Sequence, residues 1–91
     1  MAIPAGVGLG QQQEVDFRVE EGTSRLEMVV NTSRILAMDE EIPRVLVNNR
    51  EILRVVPLSP TQVQVSALKP GVTQVNLWDK QGGVRSVDVI V

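Results

Sequence analysis

Apolar and polar residues alternate along most of the chain from Ser24 onward, and this pattern is typical of half-buried β-strands. The clearest case is the run 61–66, in which Val63 and Val65 alternate with Gln62 and Gln64. Between 40 and 54 an apolar spacing of three to four also fits a helical turn, but Pro43 and the β-branched content favour strands. The pattern predicts strands over residues 24–30, 34–38, 42–47, 51–56, 61–66, 72–78 and 84–91.

The segments between these runs have the composition of turns. Lys69-Pro70-Gly71 places Pro before Gly, as a type II turn prefers. Gly82-Gly83 joins two strand-like runs, which predicts a hairpin. A series of short strands with turns between them predicts an all-β fold, a small two-layer β-sandwich of immunoglobulin-like type with about six or seven short strands.

The first 22 residues differ from the rest, because they are rich in Gly and Gln and then in acidic residues. Such a segment buries little apolar area, so we expect residues 1–22 to form a flexible arm or linker and residues 23–91 to form the sandwich. A weak alternation over 14–19, with Val15, Phe17 and Val19 on one face, predicts a short edge strand. The start lacks the features of a signal peptide, and we expect the strand that ends at Val91 to continue into a longer protein.

Composition excludes several classes of function. The chain has no Cys and no His, which excludes zinc sites of the usual kind, thiol chemistry and His-dependent catalytic triads. Its net charge of −2, with one Trp, one Phe and no Tyr, argues against a nucleic-acid partner. The carboxylates at 39–41 lack the spacing of a calcium loop and are interpreted as a solvated loop. We therefore expect no enzyme activity, no cofactor and no metal, and no apolar run approaches the roughly 20 residues that span a bilayer.

Several motifs occur in an order that matches a known family. The strongest are KPGVTQVNLWD at residues 69–79 and VDVIV at residues 87–91. The other matching segments are 31–34, 42–47, 49–52 and 63–65. From Leu26 to Val91 the chain resembles the N-terminal domain of pilus-assembly secretins, the outer-membrane pore proteins of Flp/Tad-type pili and of related type II and type III secretion systems. It departs from that family at Asn31-Thr32, where Gly-Lys is common.

The resemblance implies a non-enzymatic module that serves as a structural and protein-contact element. Its place would be the periplasmic side of the outer membrane, as part of a larger secretin. Its partners would be other subunits of the secretin ring and other secretion or pilus components, without nucleic acid and without membrane insertion by this domain. We expect the isolated domain to be monomeric.

Four residues are candidates for an interaction surface: Trp78, Asn76, Arg34 and Arg44. Strict alternation places Thr73, Val75 and Leu77 on one face of their strand and leaves Trp78 and Asn76 on the other. Trp is enriched at interface hot spots, and Arg suits bidentate pairing with carboxylates across subunits. The simpler interpretation of Trp78 is a large apolar residue near a strand end. The simpler interpretation of the strand arginines is outward-facing polarity, and we favour it for Arg34, Arg44, Arg50, Arg54 and Arg85.

Two other functions remain as alternatives. A generic immunoglobulin-like repeat of a bacterial surface or adhesion protein shares the Gly-x-Thr strands and the Val-rich closing hairpin. A carbohydrate-active enzyme is disfavoured by the single Trp and the absence of Tyr and His. The uncharged outer faces around Gln62, Gln64 and Gln74 also predict that an edge in this region accepts a strand from another chain.

Overall fold

The computed structural model of the protein describes residues 17–91 and is all-β over that range. All seven strands predicted from alternation are present, and an eighth lies within the weakly alternating run 14–19. The strands are β1 (Phe17–Arg18), β2 (Thr23–Glu27), β3 (Ser33–Ala37), β4 (Arg44–Val47), β5 (Leu53–Ser59), β6 (Gln62–Ala67), β7 (Val72–Trp78) and β8 (Val84–Ile90).

The strands form two four-stranded sheets that pack as a small β-sandwich. The first sheet has the order β1-β3-β6-β5 and the second has the order β2-β8-β7-β4. Both sheets are mixed, because β1 runs parallel to β3 and β2 runs parallel to β8, whereas the other neighbours are antiparallel. β1 and β5 are the edges of the first sheet, and β2 and β4 are the edges of the second.

Alternation along the central strands builds the core. In β6, β7 and β8 every second residue is buried, and the buried side chains of the two sheets meet between them. Seven large side chains are less than 2% exposed: Leu36, Leu53, Leu77, Val65, Val75, Val87 and Val89. The hydrophobic effect acting on this shared face is what fixes which face of each strand points inward.

The sandwich includes residues that the sequence assigned to the N-terminal arm. β1 pairs with β3, Phe17 packs against the core and Val19 is 3% exposed. The chain then crosses from the first sheet to the second over residues 19–22. Residues 1–16, including Val15 of the predicted edge strand, lie outside the described part of the chain.

The predicted hairpin between β7 and β8 is confirmed, and Asp79 organises its turn. Its Oδ1 accepts hydrogen bonds from the backbone N–H groups of Gln81 (3.0 Å) and Gly83 (2.8 Å). Gly82 has a φ of +89°, a left-handed conformation that glycine adopts without steric cost. Asn31, at the position where the resembling family commonly has Gly, also has a positive φ of +68°. Asn is one of the few other residues that tolerate this conformation, so the departure preserves the turn.

The sequence predicted an exposed sheet edge at the Gln-rich strands that would accept a strand from another chain, and this placement of the edge is wrong. Gln62 and Gln64 lie on β6 and Gln74 lies on β7, and each of these strands has a neighbour on both sides. Their side chains face outward, but their backbone groups are already paired within the sheets. Within the described residues, the sheet edges lie instead on β1, β2, β4 and β5.

The expectation that all five strand arginines face outward is wrong for Arg85, which is 6% exposed. Its Nη1 donates to the backbone oxygen of Val19 and to Oδ1 of Asp39, both at 3.1 Å, and its Nη2 lies 3.9 Å from Oε2 of Glu40. The guanidinium therefore joins the second sheet to the crossover at Val19 and to the loop after β3. Alternation already indicated this position, because Arg85 lies two residues before Val87 on the buried face of β8.

The turn before β7 provides a test of how backbone conformation and packing combine. Gly71 has a φ of +152°, and a Cβ atom at this position would lie 2.5 Å from Cδ1 of Ile52. We expect Gly71→Ala to lower the free energy of unfolding by about 2 kcal/mol, because it adds backbone strain and a steric overlap. Urea denaturation followed by circular dichroism measures the change.

Two further variants separate these contributions. Gly22 has a φ of +86°, and a Cβ atom there would meet no other atom within 4 Å, so Gly22→Ala carries backbone strain alone, about 1 kcal/mol. Ile52→Val removes Cδ1, and in that background Gly71→Ala should cost less than in the wild type. Additive effects of the two substitutions would show that Ile52 is not the obstacle.

Candidate functional site

Trp78 lies on the outer face of the second sheet, at the end of β7. Its register partners are Arg44 on β4 and Val84 on β8. Cζ of Arg44 lies 4.6 Å from the centroid of the indole ring, which is within the range of a cation–π interaction. The half-buried ring of Trp78 therefore lies between the guanidinium of Arg44 and the exposed residue Val84.

The next row of side chains along the sheet continues this surface. Asn76 on β7 lies between Leu46 on β4 and Ser86 on β8. Oγ of Ser86 donates to Oδ1 of Asn76 at 2.7 Å, so the two polar groups satisfy each other. We call the two rows together the Trp78 face. It consists of Arg44, Leu46, Asn76, Trp78, Val84 and Ser86.

The composition of the Trp78 face suits contact with another protein. Leu46 is 41% exposed and Val84 is 48% exposed, so apolar surface is available around the Trp ring. A Trp and an Arg at the centre of such a patch are the residue types that most often dominate binding energies at interfaces. The described residues include no cluster of three His, Cys, Asp or Glu side chains that could hold a metal ion.

Of the four predicted interaction residues, the structure brings three together and separates the fourth. Trp78, Asn76 and Arg44 are neighbours on the Trp78 face. Arg34 lies on β3 of the other sheet, and its Nη1 is 3.5 Å from the backbone oxygen of Glu27. Glu27 is in register with Ile90, and Ile90 with Val72, at the far end of β7.

The separation of Arg34 from Trp78 follows from strand length. Six residues separate Val72 from Trp78, which corresponds to about 20 Å at the rise of an extended strand. Arg34 therefore belongs to the opposite end of the sandwich and does not contribute to the Trp78 face.

Sequence reasoning missed Leu46 and Val84 as members of the face. Alternation places Leu46 on the same side of β4 as Arg44, so a signal for it was present. The pairing of Val84 with Trp78 depends on the length of the 79–83 turn, which sets the register of β7 against β8.

The contact between Arg44 and Trp78 can be tested by fluorescence, because Trp78 is the only Trp in the chain. We expect Arg44→Ala to shift the emission to longer wavelength, since water replaces the guanidinium over the ring. The loss of stability should be at most about 1 kcal/mol, as for other exposed cation–π pairs. Arg44→Lys should give an intermediate emission, because an ammonium does not stack as a planar guanidinium does.

Arg25→Ala is the matched control for this measurement. Arg25 is also exposed and lies on β2 of the same sheet, where it pairs with Glu27 rather than with an aromatic ring. If neither Arg44→Ala nor Arg25→Ala changed the emission spectrum of Trp78, the cation–π interaction would be contradicted.

The fold and the Trp78 face together define a small β-sandwich domain with an aromatic patch on the outer face of one sheet. Comparison with known families then identifies the chain more closely. The family model described as the pilus formation protein N-terminal region matches residues 22–91, so the chain belongs to that family. The match confirms the resemblance that the sequence motifs indicated.

No curated protein and no solved structure shows a significant match to the chain. Within residues 17–91 there is no helix with the length and apolar character needed to cross a bilayer.

Proposed function

We propose that this domain is a non-enzymatic protein-interaction module on the periplasmic side of the outer membrane, within a secretin that serves pilus assembly or protein secretion. The observation that carries the proposal is the family match over residues 22–91, since the family is one of pilus formation proteins. The absence of His and Cys from the sequence supports a role without chemistry at a reacting group.

The Trp78 face is the surface through which we propose the domain contacts a neighbouring subunit of the ring or another pilus component. Trp78, Asn76 and Arg44 form its centre, and Leu46 and Val84 add exposed apolar area. A patch of this kind gains binding energy mainly from burial of the indole ring. The hydrogen bond from Oγ of Ser86 to Oδ1 of Asn76 lowers the free-energy cost of removing these two groups from water.

Cross-linking in the native parent protein tests this role. Because the chain has no Cys, Val84→Cys places a single thiol of this domain beside Trp78. A short bifunctional thiol–amine reagent, applied to intact cells, should join it to a second secretin subunit or to another envelope component. Val29→Cys is the control, because Val29 is also an exposed valine, at 69%, but lies in the loop after β2.

Fractionation of the same cells tests the location and the assembly. The parent should appear in the outer-membrane fraction as a large multimer that resists heating in detergent. A soluble or surface-released monomer would contradict the proposal and favour the adhesion-type alternative. Equal cross-linking at positions 29 and 84 would contradict the assignment of the Trp78 face alone.

A further inference from the structure

A groove lies along the open side of the sandwich, between the edge strand β4 of one sheet and the edge strand β5 of the other. Its volume is about 380 Å³, which is within the size range of peptide and ligand pockets. Its apolar lining residues are Val45, Leu46, Val47, Leu53, Val55 and Leu68. The groove shares Leu46 with the Trp78 face but otherwise differs from it, because Val45 and Val47 point to the opposite side of β4 from Arg44.

The backbone along this groove has unused pairing capacity. Among residues 17–91, β4 pairs only with β7 and β5 pairs only with β6, so each leaves one side of its ladder open within the described part of the chain. β5 is the longer strand, but Pro57 has no N–H and a register shift follows between Pro57 and Ser59. The N–H of Leu53 already donates to the backbone oxygen of Asn49 at 3.3 Å. The regular part of the open edge therefore runs from the C=O of Leu53 to Val56. An open edge beside an apolar groove is the arrangement that binds extended peptides by strand addition.

The charge along the groove is positive and uncompensated. Arg50 and Arg54 both line it, and among residues 17–91 the side chain of neither forms an ion pair or a hydrogen bond. The nearby Glu51 is already paired with Lys69 at 3.4 Å. This local excess of positive charge contrasts with the net charge of −2 of the whole chain. An occupant with carboxylate groups would complement it.

We propose that the groove binds an extended segment of a partner protein in which apolar residues alternate with Asp or Glu, added as a strand along β5. Side chains of an added strand alternate between the two faces of its sheet. Its apolar side chains enter the groove between Leu53 and Val45. Its carboxylates lie on the outer side, where Arg54 is exposed, and reach Arg50 at the end of the groove. This inference does not depend on the proposed function, because it concerns a different surface.

Selection from a random library of displayed heptapeptides, with the full 91-residue chain as bait, tests the proposal and does not require the partner to be identified first. We expect enriched peptides in which Val, Ile or Leu alternates with Asp or Glu. The dissociation constant of the best synthetic peptide should rise at least about tenfold in the double variant Arg50→Glu/Arg54→Glu. Its binding should shift backbone amide resonances of β4 and β5 in nuclear magnetic resonance spectra.

The double variant Arg18→Glu/Arg25→Glu is the matched control. It makes the same change in charge on β1 and β2, the edges on the opposite side of the sandwich, and should leave peptide affinity unchanged. Four results would overturn the proposal: no enrichment, enriched peptides without acidic residues, equal weakening by both double variants, or resonance shifts confined to the Trp78 face. The proposal would also be overturned if the chain dimerised and Arg50→Glu/Arg54→Glu abolished the dimer. That result would show that a second copy of the chain occupies the groove.

Discussion

Leu77→Ala is expected to lower the free energy of unfolding of the domain by about 3 to 4 kcal/mol. Leu77 is 0% exposed and lies one residue before the end of β7, in register with Val45 and Arg85. Removing its branched end loses the transfer free energy of the buried methyl groups and leaves a cavity in a core that cannot collapse fully around it. A domain of this size has about 0.05 to 0.15 kcal/mol of stability per residue, so the loss is a large fraction of the whole.

Urea denaturation, followed by far-ultraviolet circular dichroism and by Trp78 fluorescence, measures this loss. The slope of the transition should stay unchanged, since the same surface is exposed on unfolding. Leu46→Ala is the control, because it makes the same chemical change on the neighbouring strand at a residue that is 41% exposed. It should cost less than about 1 kcal/mol. Equal midpoints for the two variants would contradict the placement of Leu77 in the core.

Arg85→Met is expected to cost about 2 to 3 kcal/mol, although it keeps most of the apolar length of the side chain. The backbone oxygen of Val19, a residue that is 3% exposed, would lose the donor that lies 3.1 Å away. A buried acceptor without a partner carries its full desolvation penalty. The carboxylates of Asp39 and Glu40 would lose their cation, but the Asp39 side chain is 75% exposed and water would solvate it.

Graded variants identify which contact of Arg85 matters. Arg85→Lys should be intermediate, because a single ammonium cannot serve the carbonyl and the carboxylate with the geometry of a guanidinium. Asp39→Asn should cost less than about 1 kcal/mol, because the Asp39 side chain is 75% exposed and the amide oxygen of Asn can still accept from Nη1 of Arg85. The control Arg25→Met removes an exposed ion pair and should also cost less than about 1 kcal/mol. If Arg85→Met were as stable as the wild type, the cost of burying the guanidinium would have to equal the benefit of its bonds.

The alternation of apolar and polar residues was sufficient to predict the strands and the inward or outward direction of their side chains. Alternation identified seven strands and correctly assigned Thr73, Val75 and Leu77 to the inner face of β7 and Asn76 and Trp78 to the outer face. These assignments depend on a period of two along one strand, which holds whichever strands lie beside it.

Which strands pair with one another is not determined by the local sequence pattern, and two of the wrong predictions concern this pairing. Alternation does not distinguish the edge strand β5 from the central strand β6, which begins three residues further on, so the open edge was placed at Gln62 and Gln64. Pro57 within β5, which has no N–H to donate, was a local sign of an edge that this reasoning did not use. The grouping of Arg34 with Trp78 failed for the same reason, since strand pairing places Arg34 on the other sheet and next to the far end of β7. Arg85 was misassigned because its charge was given more weight than its position in the alternation of β8.

The parallel pairing of β2 with β8 has a mechanical consequence. β2 begins beside Ser86 and β8 ends beside Glu27, so residues 22 and 91 lie at opposite ends of one ladder. Tension between residues 22 and 91 acts along this ladder as shear and loads its hydrogen bonds together, including those from Ser86 to Gly22 (3.0 Å) and from Met28 to Ile90 (2.8 Å). We expect single-molecule pulling between these positions to require a higher force than pulling across the β7–β8 hairpin, whose bonds open one after another. A domain loaded between these two positions is therefore expected to resist opening more strongly than one loaded across a hairpin.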